Sequence, residues 1–218
     1  LGCKRMTESE ELVLNTTAAV TNLLFYDSPG SLLFETDNKQ LLCRLLRPML
    51  LESYNIEALM EAARALGNLS RHPDARRWIS ELRVDEVLAI LLAHDDRDLV
   101  FYACGALVNI VADFETGRRL CSGCDLRIKL ADLLRDAPAE DDELVLVVVK
   151  VLSNLVLDGA SAHWPEAELG AVRVGLSRAC EVLEGISLQA GLETPAALAA
   201  RLLASLPLCE AEELEQGQ

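Results

Sequence analysis

Residues 65–69 read Ala-Leu-Gly-Asn-Leu, and the same pattern returns as Ala-Val-Thr-Asn-Leu at 19–23, Ala-Leu-Val-Asn-Ile at 106–110 and Val-Leu-Ser-Asn-Leu at 151–155. The four asparagines, Asn22, Asn68, Asn109 and Asn154, are spaced by 46, 41 and 45 residues. Counted from each asparagine, position −6 holds Thr16, Ala62, Ala103 and Val148, and position −3 holds Ala19, Ala65, Ala106 and Val151. Position −2 holds Val20, Leu66, Leu107 and Leu152, and position +1 holds Leu23, Leu69, Ile110 and Leu155. These offsets fall on one stripe of a helix, so each copy predicts a helix that buries a face of small and branched side chains. Small residues on that face permit close helix approach.

Working outward, a second element precedes three of the copies at Leu42–Leu46, Leu88–Leu92 and Leu130–Leu134, each ending in a Leu-Leu pair. Polar connections at 52–55, 93–98 and 135–143 separate it from the Asn helix, the last with Pro138 and five acids. Asp27–Ser31, His72–Ala75, Asp113–Gly117 and Asp158–Ser161 read as breaks between units, with Pro29, Pro73, Gly117 and Gly159 as punctuation. Each unit is thus expected to be a short helix, a turn and a longer helix. The apolar run Leu144–Val149 is expected to be the fully buried middle of the fourth Asn helix.

A period of 41–46 residues with helices alone falls in the roughly 40–47-residue class of helical repeats. On the Ala-Leu-x-Asn-Leu signatures, the Leu-Leu elements and the entry Pro73-Asp74-Ala75-Arg76-Arg77, the chain resembles the armadillo family. The fold expected is all-α, a right-handed α-solenoid of armadillo/HEAT-like repeats with about four units plus C-terminal capping helices. The boundaries read 1–37 for a partial first unit, 38–83, 84–125 and 126–170 for the next three, 171–209 for the caps and 210–218 for a polar tail, in one continuous array. The cap helices are placed at 171–186 and 194–206. The first copy has only Leu1–Leu14 ahead of its Asn helix, where the other units need a whole further helix, so the chain reads as an internal or processed piece of a longer array, and an uncapped helix face there could expose apolar surface.

Composition agrees with packed helices. The 218 residues are 51% hydrophobic but only 4% aromatic, so the apolar mass is mostly Leu, Ala and Val. A formal charge of −15 argues against a nucleic-acid binder. The longest uncharged stretches, 12–26 and 99–112, fall short of the roughly 18 residues a membrane span needs. Seven cysteines, an odd number in a chain large enough for a core, predict free thiols and a cytoplasmic setting.

The resemblance implies that the Asn helices line a concave surface where the Asn side chain, donor and acceptor at once, bonds an extended ligand backbone. The ladder would be Asn22, Asn68, Asn109 and Asn154; the alternative is that each Asn satisfies backbone groups of the neighbouring unit. The same face takes in Ala18 and Phe25, Arg64 and Arg71, Gly105 and Ala112, and Lys150 and Leu157 at −4 and +3. Nuclear-import receptors of the family carry a Trp at −4; none stands here, so import-receptor function is not expected. Trp78 and Trp164 are expected in packing.

Residues 39–83 carry 8 basic and 5 acidic groups, against 10 and 24 in 84–218. Arg64 and Arg71, with Arg76 and Arg77, could receive an acidic segment of a partner, or could form a solvated face with Glu61 and Asp74. The candidate partner-binding set is therefore Asn22, Asn68, Asn109, Asn154, Arg64, Arg71, Phe25 and Lys150.

Chemistry is sparse. Cys121-Ser-Gly-Cys124 has redox or half-zinc spacing, but there is no second pair, and His72, His94 and His163 are scattered. Phosphate loops, a nucleophile elbow and a His-Glu-x-x-His helix are missing. The acidic stretch 136–143 lacks the pattern of a calcium loop. No cofactor, metal or catalytic residue is expected, and the function expected is that of a non-catalytic protein-interaction scaffold or adaptor. Residues 22–26 and 65–73 also resemble a ciliary and flagellar branch of the family, which implies a role in motile axonemes, including transport or attachment of radial spokes. The alternative is a structural subunit of an axonemal or cytoskeletal complex held through its edges and C-terminal helices, near Arg173, Arg178 and Arg201.

Overall fold

A computed structural model describes residues 8–26, 32, 35–53, 55–156, 164–184, 186 and 193–207. All eleven helices among the described residues are α-helices: α1 (Glu8–Phe25), α2 (Thr36–Glu52), α3 (Ile56–Leu69), α4 (Pro73–Glu81), α5 (Val84–Leu91), α6 (Arg97–Ile110), α7 (Phe114–Cys124), α8 (Leu126–Asp136), α9 (Asp142–Val156), α10 (Glu166–Val182) and α11 (Pro195–Ser205). The chain divides into two compact units, Leu1–Ile110 and Val111–Gln218. The breaks at 27–31 and 158–161, the tail at 210–218, Leu157, His163, Cys3 and Cys209 lie outside the described residues.

The Asn copies are the C-terminal halves of α1, α3, α6 and α9. Side-chain caps fix where three of these helices begin. Asn55 Oδ1 accepts from the backbone N–H groups of Glu57 and Ala58 at 2.9 and 3.3 Å, Asp96 Oδ1 from Leu99 at 2.9 Å, and Asp141 Oδ1 from Leu144 at 3.2 Å. Each cap stands thirteen residues before its Asn, so the three helices present the same face in the same register. On that face Ala62, Ala65, Leu66 and Leu69 of α3, and Ala103, Ala106, Leu107 and Ile110 of α6, are buried. Each of the larger of these side chains contributes about 1.5–3 kcal/mol by leaving water.

Between the Asn helix of one copy and the Leu-Leu helix of the next, the structure adds short helices α4 and α7 where the sequence reads as a break. Each is polar with a narrow buried stripe, Ala75 and Ile79 in α4, and Thr116, Leu120 and Cys121 in α7. Pro73 at the first turn of α4 and the Asp113 cap on Thr116 N–H start them. Both end at a left-handed residue, Arg83 (φ 56°) before α5 and Asp125 (φ 52°) before α8, which turns the chain sharply into the Leu-Leu helix. The run Leu144–Val149 is not wholly buried: a helix turns about 100° per residue, so Leu146 and Val147 are half-exposed while Val145, Val148 and Val149 are enclosed.

In the second unit, α10 lies close against α8. A Cβ on Gly175 would stand 3.1 Å from the Ala131 carbonyl oxygen and 3.3 Å from its Cα, so any side chain there would push α8 back by a few tenths of an ångström. The expected cap helices are α10 and α11, the first beginning five residues earlier than the sequence suggests.

In the first unit, α2 is tied to α4 by Lys39, whose ammonium lies 2.5 Å from Asp74 in a side chain only 8% exposed. Burial pushes the Asp74 carboxyl up, but Lys39 and two backbone N–H groups outweigh it and hold its pKa below the ordinary value. A depressed carboxyl pKa stabilises the fold fully above its unfolded value, about 4, and that contribution disappears as pH falls through the folded value. Asp74→Asn is expected to cost about 1–2 kcal/mol at neutral pH, less than the roughly 3–5 kcal/mol of a fully enclosed pair, because Asp74 is partly in water. Denaturant melts should show the gap between wild type and variant closing under acid; a gap that persists contradicts the assignment.

Candidate functional site

Helices α1, α3 and α6 stand in sequence across the first unit, α3 packing on both of the others. Gly67 faces the Ala106 backbone, where a Cβ would stand 3.8 Å away in ordinary contact, so α3 and α6 lie side by side there. Over these helices runs an open groove of about 490 Å³ lined by Asn22, Phe25, Tyr26, Arg64, Asn68, Phe101 and Tyr102, with Thr21, Gly67 and Gly105 on its floor. A Cβ on Gly105 would meet nothing within 4 Å, so the missing side chain widens the groove.

Of the eight residues picked out by sequence, the groove gathers four: Asn22, Asn68, Arg64 and Phe25. Asn22 is exposed. Asn68 is half-buried, and its Nδ2 donates to the Thr21 carbonyl at 3.0 Å, back to the preceding Asn helix. That bond uses one amide hydrogen, and an asparagine amide has a second N–H and a carbonyl oxygen besides. The Thr21 bond matches the reading in which the Asn satisfies backbone groups of the neighbouring unit, and the amide so fixed also lines the groove. Asn109 reaches back in the same sense, its Nδ2 donating to Ser70 Oγ at 3.0 Å, but it is not among the groove residues.

Arg64 bonds Glu61 at 2.5 Å and lays its guanidinium 5.5 Å from the Tyr102 ring centre. Arg71 stands apart. Its Nε donates to the Asn68 carbonyl at 3.1 Å and its Nη2 to the Leu24 carbonyl at 2.5 Å, so its charge sits at the C-terminal ends of α3 and α1, where the helix dipole favours a cation. Arg76 likewise donates to the Ser70 and Arg71 carbonyls, and Arg77 pairs with Glu81 at 3.1 Å. The excess of positive charge read from residues 39–83 is therefore largely engaged inside the fold.

Three groove residues escaped the sequence reading. Tyr26 follows Phe25 directly, and the two rings meet edge to face at 5.3 Å. Phe101 and Tyr102 lie eight and seven residues, about two turns, before Asn109 and form a second edge-to-face pair at 5.5 Å. The signal was that four of the seven Phe and Tyr residues stand in two adjacent pairs, 25–26 and 101–102.

Asn154 lines a different cavity, within the second unit and of about 250 Å³, with Val111, Phe114, Cys121, Leu155 and Trp164 among its walls. Trp164 is buried there, and Arg127 stacks 4.9 Å from its ring centre while pairing with Glu168. Lys150 is exposed on α9 and lines neither cavity. Trp78 is half-buried with Arg77 stacked on it at 4.8 Å.

The Cys121–Cys124 pair lies in the last turn of α7. Cys121 is buried, and burial pushes its thiol up to about 11; burial also raises Cys43 and Cys104 to about 12. A nucleophilic or metal-binding cysteine needs the opposite shift. Among the described residues no three His, Cys, Asp or Glu side chains are grouped to hold a metal ion, and no helix is long and apolar enough to cross a membrane. A thiol reagent at about pH 8 should leave Cys43, Cys104 and Cys121 unmodified until the protein is denatured; rapid labelling of native Cys121 would contradict this.

No protein-family model matches the chain. It is 37% identical over 154 residues to mouse armadillo repeat-containing protein 2, covering 71% of this chain and 18% of that one. To the cattle protein of the same name it is 35% identical over 170 residues, covering 77% and 19%. The chain thus spans about a fifth of the length of the curated relatives it matches. Among solved structures, computationally designed armadillo repeat proteins for modular peptide recognition superpose with a TM-score of 0.65 at 20% identity, over 92% of this chain and 78% of that one. A designed armadillo repeat protein in complex with the peptide (KR)4 gives 0.61 at 20% identity, over 92% and 78%. At that identity the likeness concerns the fold.

Proposed function

The chain belongs to the armadillo-repeat proteins, and from that premise we propose that it is a non-catalytic adaptor whose first unit captures an extended segment of a partner protein in the groove over α1, α3 and α6. The observation that carries this reading is Asn68, held by Thr21 at the groove wall with amide capacity left for a passing peptide backbone. Peptide recognition by designed proteins of this fold supports it. Phe25, Tyr26, Phe101 and Tyr102 supply large, rigid contact area to side chains flanking the bonded backbone. Arg64 is the cation that lines the groove, already balanced by Glu61, while Arg71 is engaged at helix ends, so preference for acidic side chains is not part of the proposal. Asn109, Asn154 and Lys150 do not line this groove and stand outside the proposed binding set.

The setting we propose is cilium or flagellum assembly, in the cytoplasm or axoneme, on the resemblance carried by residues 22–26 and 65–73. Attachment through the C-terminal helices has less support, because the cations it would use are engaged. Arg173 donates to the Leu206 carbonyl at 3.1 Å, Arg178 pairs with Glu181 at 2.9 Å and Arg201 with Glu193 at 2.9 Å.

Affinity capture from ciliated-cell extract tests the proposal, comparing wild type with Asn68→Ala, Tyr102→Ala and the double variant. Each single change should weaken retention of the captured protein by about tenfold, the equivalent of roughly 1.4 kcal/mol, with helical circular dichroism unchanged. Undiminished retention by the double variant would refute the groove.

A further inference from the structure

The two short helices between the repeat elements carry a pattern of their own. Helix α4 reads Arg76-Arg77-Trp78-Ile79-Ser80 and α7 reads Arg118-Arg119-Leu120-Cys121-Ser122, so each sets two arginines four and three residues before a serine. On a helix those offsets place both arginines beside the serine, one turn back. The fold treats the two serines differently. Ser80 is half-buried, Arg76 is turned onto the Ser70 and Arg71 carbonyls, and Arg77 is held between Glu81 and the Trp78 ring. Ser122 is exposed, as are Gly123 and Asp125 after it, and its Oγ donates to the Arg118 and Arg119 carbonyls at 3.0 and 3.3 Å.

Arg118 is also open to a stronger anion. Its pair with Glu115 joins side chains 68% and 70% exposed, and a pair so far in water is worth little. The turn that carries Ser122 is poorly braced. Gly123 weakens the helix from inside that turn, a Cβ there would meet nothing within 4 Å, and the chain leaves through Asp125 in the left-handed region at φ 52°. An eleven-residue helix has little stability of its own, so α7 depends on its narrow buried stripe, of which Leu120 and Cys121 lie within the pattern. Drawing the pattern out into an extended chain lifts those two side chains, and the frequency of that opening sets how fast an enzyme reaches Ser122 in the folded protein.

We propose that Ser122 is a phosphorylation site, read by a serine kinase whose substrate cleft holds the two preceding arginines with carboxylates. Ser122 Oγ attacks the γ-phosphorus of a nucleoside triphosphate, the bond from that phosphorus to the bridging oxygen breaks, the diphosphate leaves, and the hydroxyl proton passes to the kinase's base. The product sets about −1.5 to −2 of charge one turn from Arg118 and Arg119. Ser122 lines the same cavity as Asn154 and Trp164, where Arg118 is matched by Glu115 and Arg127 by Glu168, so the added phosphate makes the cavity mouth anionic. Incubating the 218-residue chain with a purified kinase of that preference and γ-labelled ATP tests the proposal. Fragment mass spectra should place phosphate on Ser122 and not on Ser80. Ser122→Ala should remove more than nine-tenths of the label, and the double change Arg118→Ala, Arg119→Ala should slow labelling more than tenfold, with helical circular dichroism unchanged in both. A peptide of residues 114–126 should be labelled faster than the folded chain. A peptide that is labelled while the folded chain stays unlabelled overturns the proposal, as does label that survives Ser122→Ala or falls equally on Ser80. A peptide that the kinase refuses, or an arginine variant labelled at the wild-type rate, overturns recognition through the arginines.

Discussion

How closely one Asn helix can approach the next governs the rest of the first unit. Alanines at −6 and −3 let α3 pack without large side chains between its axis and its neighbours. At that distance a side chain as short as asparagine reaches across: Asn68 finds the Thr21 carbonyl, and Asn109 finds the Ser70 hydroxyl. Replace the small residues by leucines and both amides would be left short of their partners, half-buried and unsatisfied, which is costly. The same approach aligns the residues at −4 and −7 into one wall. Arg64 from α3 and Tyr102 from α6 stack as a consequence, and Gly105 leaves the floor open beneath them.

Much of this was legible in the repeat. A signature recurring at 41–46 residues, with its small face and its Leu-Leu partner, carries both the helical class and the armadillo type of packing. What the repeat did not reveal has physical reasons. Helices α4 and α7 are short and polar, with one narrow buried stripe each, so their periodicity is too weak to rise above that of a loop. The caps Asn55, Asp96 and Asp141 lay inside stretches read as polar connections, although their constant thirteen-residue spacing to the asparagines would have marked the helix starts. Phe101 and Tyr102 sit about one turn before the signature and recur in no other copy, so a search for self-similarity passes over them.

The arginines show why charge read along the chain differs from charge presented at a surface. Arg71 lies seven residues after Arg64, two turns of helix, which places both on one face by spacing. But α3 ends at Leu69, so Arg71 falls beyond the last turn, where free carbonyls at the ends of α1 and α3 attract its guanidinium. Arg64, still inside the helix, meets Glu61 one turn back and the Tyr102 face. One neighbouring pair of identical residues thus divides into a structural clamp and a groove wall, according to a helix boundary two residues away.

In the proposed function Asn68 serves the neighbouring helix and a bound segment at the same time. Following the asparagine side-chain amide resonances in a 15N–1H spectrum, assigned by single Asn variants, as the captured partner is added, tests this. The Asn68 amide should shift on binding while those of Asn38 and Asn55, engaged with Leu32 and the start of α3, stay in place. A partner that binds in full and leaves the Asn68 amide unmoved would contradict it.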